Sequence, residues 1–235
     1  MNDIFGKALV DYYDNPSKQK LITWTNLTDE DPVPVAYFFR TYKQMPNLEQ
    51  KALALCKGSV LDIGCGSGSH SLYLQKNKSL TVTGLDQSNG AIEVAKQRGL
   101  SNTHCCSIYD FSGKKFDTLL MLMNGLGIAK TFNGVSKLLE HLKTLLQPNG
   151  SILVDSSDLI YLFDDDEKTF WLNDRRYYGE VDYGIKYKKM AEEFSWLYLD
   201  YDNLTKIASS SGFECEKIME GLNFDYLACL RIKEY

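Results

Sequence analysis

Val60-Leu61-Asp62-Ile63-Gly64-Cys65-Gly66-Ser67-Gly68-Ser69-His70, followed by Leu72-Tyr73-Leu74, is the stretch whose reading decides the fold. An apolar run of strand character feeds a turn with glycine at every second position, and a helix begins at once. Glycine is needed where the backbone must turn tightly and let a ligand touch it with no Cβ in between. The helix that follows turns its free N–H groups and the positive end of its dipole into the same space. The stretch therefore predicts a ligand-binding turn. The dinucleotide fingerprint Gly-x-Gly-x-x-Gly does not describe it, because Ser69 stands where the third glycine would fall.

The neighbouring segments repeat the strand-then-helix grammar. Thr81-Val82-Thr83-Gly84-Leu85-Asp86 reads as a second buried strand that ends in an acid. Asp86 follows Gly64 at close to the spacing, roughly 20 residues, at which a carboxylate receives a ribose diol. There it accepts charge-assisted hydrogen bonds from both hydroxyls. Ser88 or Asn89 can cap a helix over 90–98, which stops at Gly99. A third strand is expected at His104-Cys105-Cys106-Ser107-Ile108, with Tyr109-Asp110-Phe111 at its end. The run from Phe116 to Met123 is apolar throughout, as expected of a central parallel strand covered on both faces, and ends in Asn124-Gly125-Leu126-Gly127.

Helical spacing places apolar residues at 135, 138, 139, 142, 145 and 146, before Pro148-Asn149-Gly150 and a fifth strand, Ser151–Asp155. A last helix over 202–208 closes at Gly212, and strands over 213–219 and 224–232 join through Gly221-Leu222-Asn223. Alternating strands and helices predict a doubly wound α/β sheet.

The pattern Asp62-x-Gly64-x-Gly66-x-Gly68 resembles motif I of the class I, Rossmann-like, S-adenosylmethionine-dependent methyltransferases. The segment from Leu145 to Val154 is also typical of that family, and the tip at Asn124 resembles its motif IV. The likeness covers roughly residues 55–155 and 200–235. It implies an α/β fold with a seven-stranded sheet in the order 3-2-1-4-5-7-6, the last strand antiparallel, and helices on both faces. It implies S-adenosyl-L-methionine as cofactor, held by Asp62, Gly64, Cys65, Gly66, Gly68, Asp86, Gln87, Tyr109, Asp110 and Asn124. In this family an acid at the position of Asp110 accepts from the adenine amino group while neighbours pack on the ring. A basic residue of the N-terminal segment pairs with the methionine carboxylate, and Arg40 is the candidate here.

Composition narrows the acceptor. The 235 residues suit one catalytic-size domain with decoration. Hydrophobic content of 44% with 24% charged residues is ordinary for a globular chain. The formal net charge of −5 argues against a nucleic-acid substrate, which needs a basic stripe to neutralise phosphates. Lys186-Tyr187-Lys188-Lys189 is too short for that and follows the acidic run Asp164-Asp165-Asp166-Glu167. The tip reads Met123-Asn124-Gly125-Leu126, where DNA amino-methyltransferases carry Asn-Pro-Pro-Tyr. No apolar run reaches the roughly 18 residues of a membrane span, and Met1 to Lys7 lacks a signal-peptide core, so a cytoplasmic location is expected. Cys56, Cys65, Cys105, Cys106, Cys215 and Cys229 have no metal spacing and read as reduced structural thiols. No metal is expected.

Two regions lie outside the shared core. Residues 1–50 are expected to form an N-terminal helical cap, with a second helix entered through Asp31-Pro32-Val33-Pro34-Val35. Residues 51–235 form the cofactor-binding domain, with an insert at about 156–200. Val181-Asp182-Tyr183-Gly184-Ile185-Lys186-Tyr187 alternates with the period of a strand, and Phe194-Ser195-Trp196-Leu197-Tyr198-Leu199 can pair with it as a flap over the strand tips. The insert's aromatics, among them Phe170, Trp171, Tyr177 and Tyr178, suit core packing, a substrate wall or a homodimer contact equally well. Transfer of a methyl group in line to a small-molecule acceptor needs a general base only if the acceptor starts protonated. His70, Asp155 and Asp158 are the titratable candidates, and Asn124 is a candidate positioning group. The competing readings are a non-catalytic cofactor-binding module and an aminopropyl transferase using decarboxylated cofactor.

Overall fold

The computed structural model describes residues 3–163 and 176–233. In chain order its elements are α1 (Ile4–Asp14), β1 (Lys20–Thr25), β2 (Thr28–Pro34), α2 (Asn47–Leu55), β3 (Ser59–Ile63) and α3 (Ser69–Asn77). Next come β4 (Thr81–Asp86), α4 (Asn89–Gln97), β5 (Asn102–Cys105), β6 (Phe116–Met121), α5 (Gly134–Thr144) and β7 (Leu146–Ser157). The chain closes with β8 (Glu180–Tyr187), β9 (Met190–Leu197), α6 (Tyr201–Ser210), β10 (Phe213–Glu220) and β11 (Asp225–Ile232).

Seven strands form one sheet in the order β10-β11-β7-β6-β3-β4-β5. The pairs from β5 to β7 are parallel, and β11 is antiparallel to both β7 and β10. Read from β3 as the first strand, this is the expected order, 3-2-1-4-5-7-6, with the last strand reversed. The period of two along each strand explains how both faces are covered. Leu61, Ile63, Leu119, Met121, Ile152 and Val154 meet α5 and α6 on one face. Val60, Val82, Leu120 and Leu153 meet Leu48, Ala52 and Leu53 of α2 and Leu72 and Leu74 of α3 on the other. Burying each such aliphatic side chain is worth roughly 1.5–3 kcal/mol.

The N-terminal fifty residues differ from the expected helical cap. After α1 the chain forms a hairpin, β1 with β2, and then two 3-10 turns, Val35–Phe39 and Tyr42–Gln44, in place of the second helix. Pro32 and Pro34 explain this, since each lacks an N–H and pushes the preceding residue toward extended backbone. They sit on β2, the edge strand of a second sheet ordered β2-β1-β8-β9, where proline is tolerated. That sheet joins the N-terminal segment to the insert: β1 pairs with β8 through Ile22↔Lys186 and Thr25↔Tyr183. The flap hairpin itself forms as expected, with Tyr183 opposite Phe194. Phe170, Trp171, Leu172 and Arg175, like the acidic run 164–167, lie outside the described residues.

Two boundaries also move. The third strand ends at Cys105, and Ile108–Asp110 form a 3-10 turn whose Tyr109 N–H donates to Ser107 Oγ at 3.3 Å. β5 is the sheet edge, paired only with β4, so nothing extends it further. Pro148-Asn149-Gly150 is a bulge inside β7, with Asn149 at φ 62°. Leu146 pairs with Phe116 before the bulge, and Ser151 with Thr118 after it.

Asp3 ties the N-terminal helix to the core. Its carboxylate caps α1 by accepting from the N–H of Gly6 at 2.9 Å. It also accepts from the N–H of Gly90 at 2.8 Å and from Ser88 Oγ at 3.0 Å, at the start of α4. α1 then packs between α4 and the second sheet, with Ile4, Ala8 and Leu9 against Ala91, Val94, Leu21 and Ile185.

Candidate active site

The turn between β3 and α3 alternates into left-handed backbone at Gly64 (φ 77°), Gly66 (φ 53°) and Gly68 (φ 83°). Only glycine adopts that backbone without strain. The turn is pinned to the next strand by hydrogen bonds from the N–H groups of Gly64 and Cys65 to the carbonyl of Leu85, at 2.8 and 3.0 Å. Asp86, half-buried at the tip of β4, accepts from the N–H of Gly66 and of Ser88, both at 2.9 Å. Its burial pushes the carboxyl pKa up against the pull of these two donors. Asp62 lies beneath the turn, buried, accepting from Ser71 Oγ at 2.6 Å, and burial raises its pKa as well. It braces α3 and does not line the cleft.

A cleft of about 200 Å³ opens above the turn. Gly64, Cys65, Gly66, Ser67, Ser69 and His70 form its floor. Phe5 of α1, Phe38, Arg40, Met123, Gly125, Ile128 and Trp196 of β9 wall it. Phe38 is clamped in place, because Ser67 and Ser69 donate their hydroxyls to its carbonyl, the latter at 2.9 Å. Arg98 Nη1 donates in turn to the carbonyl of Ser67 at 2.7 Å. Trp196 lies against Gly127 so closely that a Cβ there would run into the ring.

The tip of β6 is a pair of left-handed residues, Met123 (φ 64°) and Asn124 (φ 60°). Asp155, on the neighbouring β7, holds this turn by accepting from the N–H of Met123 at 3.1 Å and of Gly125 at 3.2 Å. Burial outweighs those two donors and pushes its carboxyl pKa up to about 7. Asn124 donates Nδ2 to the carbonyl of Leu197 at 3.1 Å and accepts from Ser156 Oγ at 2.8 Å, which joins the tip to the flap. Asp158 accepts from Tyr178 Oη at 2.7 Å and from the N–H of Ile160 at 2.9 Å. All three side chains are thus engaged in holding loops, and none lines the cleft.

Arg40 and His70 do line it. Arg40 is 8% exposed, with its guanidinium 3.6 Å above the Tyr37 ring, and its Nη2 donates to Glu49 Oε1 and Oε2 at 3.0 and 3.1 Å. Its Nε and Nη1 are buried with no partner among the described residues. His70 shares the same acid, with Nε2 2.7 Å from Glu49 Oε2. Burial alone would lower the imidazole pKa, but the hydrogen bond to Glu49 and the charges of Asp62 and Glu49 more than offset it, and the pKa rises. Glu49 was not singled out from the sequence. An acid beside Leu48, on the face that carries Ala52 and Leu53, was the signal that could have found it. Phe5 and Phe38 carry no such signal, whereas Trp196 belongs to the flap expected over the strand tips.

Tyr109, Asp110, Gln87 and Gly68 stand apart from the cleft. Asp110 and Gln87 are exposed, while Tyr109 is half-buried beside His141, with ring centroids 5.9 Å apart.

The sheet and the turn at the tip of β3 define a Rossmann-like cofactor-binding protein. A methyltransferase domain model matches residues 60–150. The chain is 40% identical to an S-adenosylmethionine-dependent methyltransferase from Bacteroides fragilis whose structure was solved with S-adenosyl-L-homocysteine. That match has a TM-score of 0.89 and covers 98% of this chain and 94% of the other. The CcbJ methyltransferase of Streptomyces caelestis, at 13% identity, TM-score 0.63 and full coverage of both chains, shares the fold. So does the sugar N-methyltransferase KedS8 of a Streptoalloteichus species, at 17% identity, TM-score 0.57, with 84% of this chain and 88% of the other covered. A comparison with curated protein sequences found no match. The chain belongs to the S-adenosylmethionine-dependent methyltransferases, and S-adenosyl-L-methionine is its cofactor.

The residues present fit that group. The face of Gly64 is open, with only Ile128 as near as 4.0 Å to where a Cβ would stand. The unpaired donors of Arg40 suit a carboxylate.

Proposed function

We propose that this methyltransferase acts on a small-molecule acceptor that enters the cleft beneath Phe5, Phe38 and Trp196. The observation that carries this reading is the enclosure itself, since aromatic side chains from the N-terminal segment and the flap roof a space of about 200 Å³. A net charge of −5 supports it against a nucleic-acid substrate. Among the described residues no helix is long and apolar enough to cross a membrane.

Bound at the glycine turn, S-adenosyl-L-methionine supplies a methyl group on a positively charged sulfur. The chain's own residues bind, orient and exclude water. Arg40 is assigned to the methionine carboxylate and Asp86 to the ribose hydroxyls. Each Asp86 oxygen spends one lone pair on a backbone N–H, Oδ2 on that of Gly66 in the turn and Oδ1 on that of Ser88 before α4, and keeps another. Tyr109 and Asp110 are assigned to the adenine end, outside the roofed cleft. The aromatic roof holds donor and acceptor together in a site shielded from water, which is the main source of rate in a direct displacement. Where the acceptor starts protonated, His70 is the base this geometry favours. It lines the cleft, and its Nδ1 makes no hydrogen bond among the described residues, whereas Asp155, Asp158 and Asn124 are committed elsewhere.

The test is incubation with methyl-labelled cofactor and a panel of small amines, alcohols, thiols and carbon acids, beside tRNA, DNA and protein. Label in a small molecule supports the reading; label only in a macromolecule overturns it. For the cofactor assignment, Asp86→Ala is expected to weaken S-adenosylmethionine binding more than tenfold by calorimetry, roughly 1.5–3 kcal/mol.

A further inference from the structure

A carboxylate on the inner face of a helix must be paired, since an unpaired buried charge is not tolerated. Glu49, 4% exposed, is paired twice: Oε1 and Oε2 accept from Arg40 Nη2, and Oε2 also meets His70 Nε2. One acid thus grips the N-terminal segment through Arg40 and the first turn of α3 through His70. Tyr37, stacked under the guanidinium, fixes the plane of the group, and Met123 Sδ lies 3.5 Å from Nη2. Rotation within that plane is left to Glu49. Because Glu49 takes only Nη2, Nε and Nη1 remain unspent on a side chain that lines the cleft.

We propose that Glu49 is a positioning residue for the cofactor. It holds Arg40 by Nη2 and braces itself on His70, and so presents the other guanidinium donors to the cofactor's carboxylate. The proposal rests on the assignment of Arg40 to that carboxylate. Glu49 also repels the incoming anion, an effect opposite in sign to positioning, so the two are separated by changing reach and charge independently.

Two ligands that differ only at the amino-acid end read the effect: S-adenosylhomocysteine, which carries the carboxylate, and 5′-methylthioadenosine, which does not. Calorimetry on the full-length protein is expected to show the first bound at least tenfold more tightly. Glu49→Asp keeps the charge and shortens the reach. It is expected to lower S-adenosylhomocysteine affinity about tenfold while leaving methylthioadenosine within twofold. Glu49→Gln keeps the length and offers one acceptor to two donors, and a smaller loss confined to S-adenosylhomocysteine is expected. An equal loss for both ligands overturns the proposal, because it marks Glu49 as a prop of the whole site. Unchanged or tighter S-adenosylhomocysteine binding in Glu49→Asp overturns it as well. If the wild-type protein does not distinguish the two ligands, the assignment of Arg40 itself fails, whatever the Glu49 variants do.

Discussion

The floor of the cleft is one unbroken turn, from Gly64 to His70, whereas its roof is assembled from Phe5, Phe38 and Trp196, which lie far apart in the chain. The floor is fixed by its own backbone: alternating left-handed glycines and N–H groups tied to Leu85 and Asp86. The roof depends on the second sheet, where β1 pairs with β8 and so brings the N-terminal segment to the insert. Local geometry builds the cofactor cradle, and long-range pairing builds the walls that stand over it. Cofactor and acceptor selectivity are therefore expected to respond to separate sets of substitutions.

The largest effect is expected where floor and roof are joined by buried charge. Arg40→Ala strands Glu49 without its guanidinium partner. Breaking a buried pair typically costs about 3–5 kcal/mol. Urea unfolding measures this, and a loss under about 1 kcal/mol, the range of an exposed pair, would mean that the pair is not buried as described.

Asp155 sharpens the contrast through pH. Its folded pKa is raised from an ordinary carboxylate value of 3.8 to about 7, so the folded protein holds the proton to higher pH than the unfolded chain does. This contribution to stability is complete below about pH 4 and is lost as pH rises through about 7, up to about 4 kcal/mol. Relative to Asp155→Asn, the wild type should therefore lose midpoint urea concentration between about pH 4 and about pH 8. A gain over that range would show that the N–H groups of Met123 and Gly125 keep the carboxylate ionised despite its burial.

The roof alone is tested at Gly127, where a methyl group collides with the Trp196 ring. Gly127→Ala should cost about 1–3 kcal/mol, as overpacking does, and should shift tryptophan fluorescence. S-adenosylhomocysteine affinity, for which Trp196 is assigned no role, should change less than acceptor turnover; an equal loss in both would merge the two regions into one. The smallest effect belongs to the outer surface of the second sheet. Lys186 and Glu30 form an exposed ion pair at 3.4 Å. Lys186→Ala should cost under about 1 kcal/mol in the same unfolding assay.

Strand and helix order could be read because each β–α unit is a local signal. Apolar runs from Val60 and Val82 end at Gly64 and Asp86, and helices follow, α4 with its own cap at Ser88. Where local signals competed, the reading slipped. Pro32 and Pro34 stand before an apolar run that looked helical, yet their chemistry favours the edge strand that forms. Arg40 is legible as a basic residue of the N-terminal segment, and it lines the cleft. Its partner was not, because Glu49 reads as one more helical acid until burial shows which face it occupies. Asp155 and Asn124 sit at strand tips, as sequence position suggested, but sequence position says nothing of which groups a side chain reaches. In the folded chain they reach backbone N–H and carbonyl groups of their own loops and the flap.

By itself the sequence determined the sheet, the glycine turn and the family, because each is written in contiguous residues whose backbone preferences and apolar periods act locally. Only the tertiary structure decided that the N-terminal segment and the insert share one sheet, that Phe5, Phe38 and Trp196 roof the cleft, and that Arg40, Glu49 and His70 form one buried group. Those contacts join residues distant in the chain, and their energy comes from burial and charge pairing, which exist only once the chain is folded.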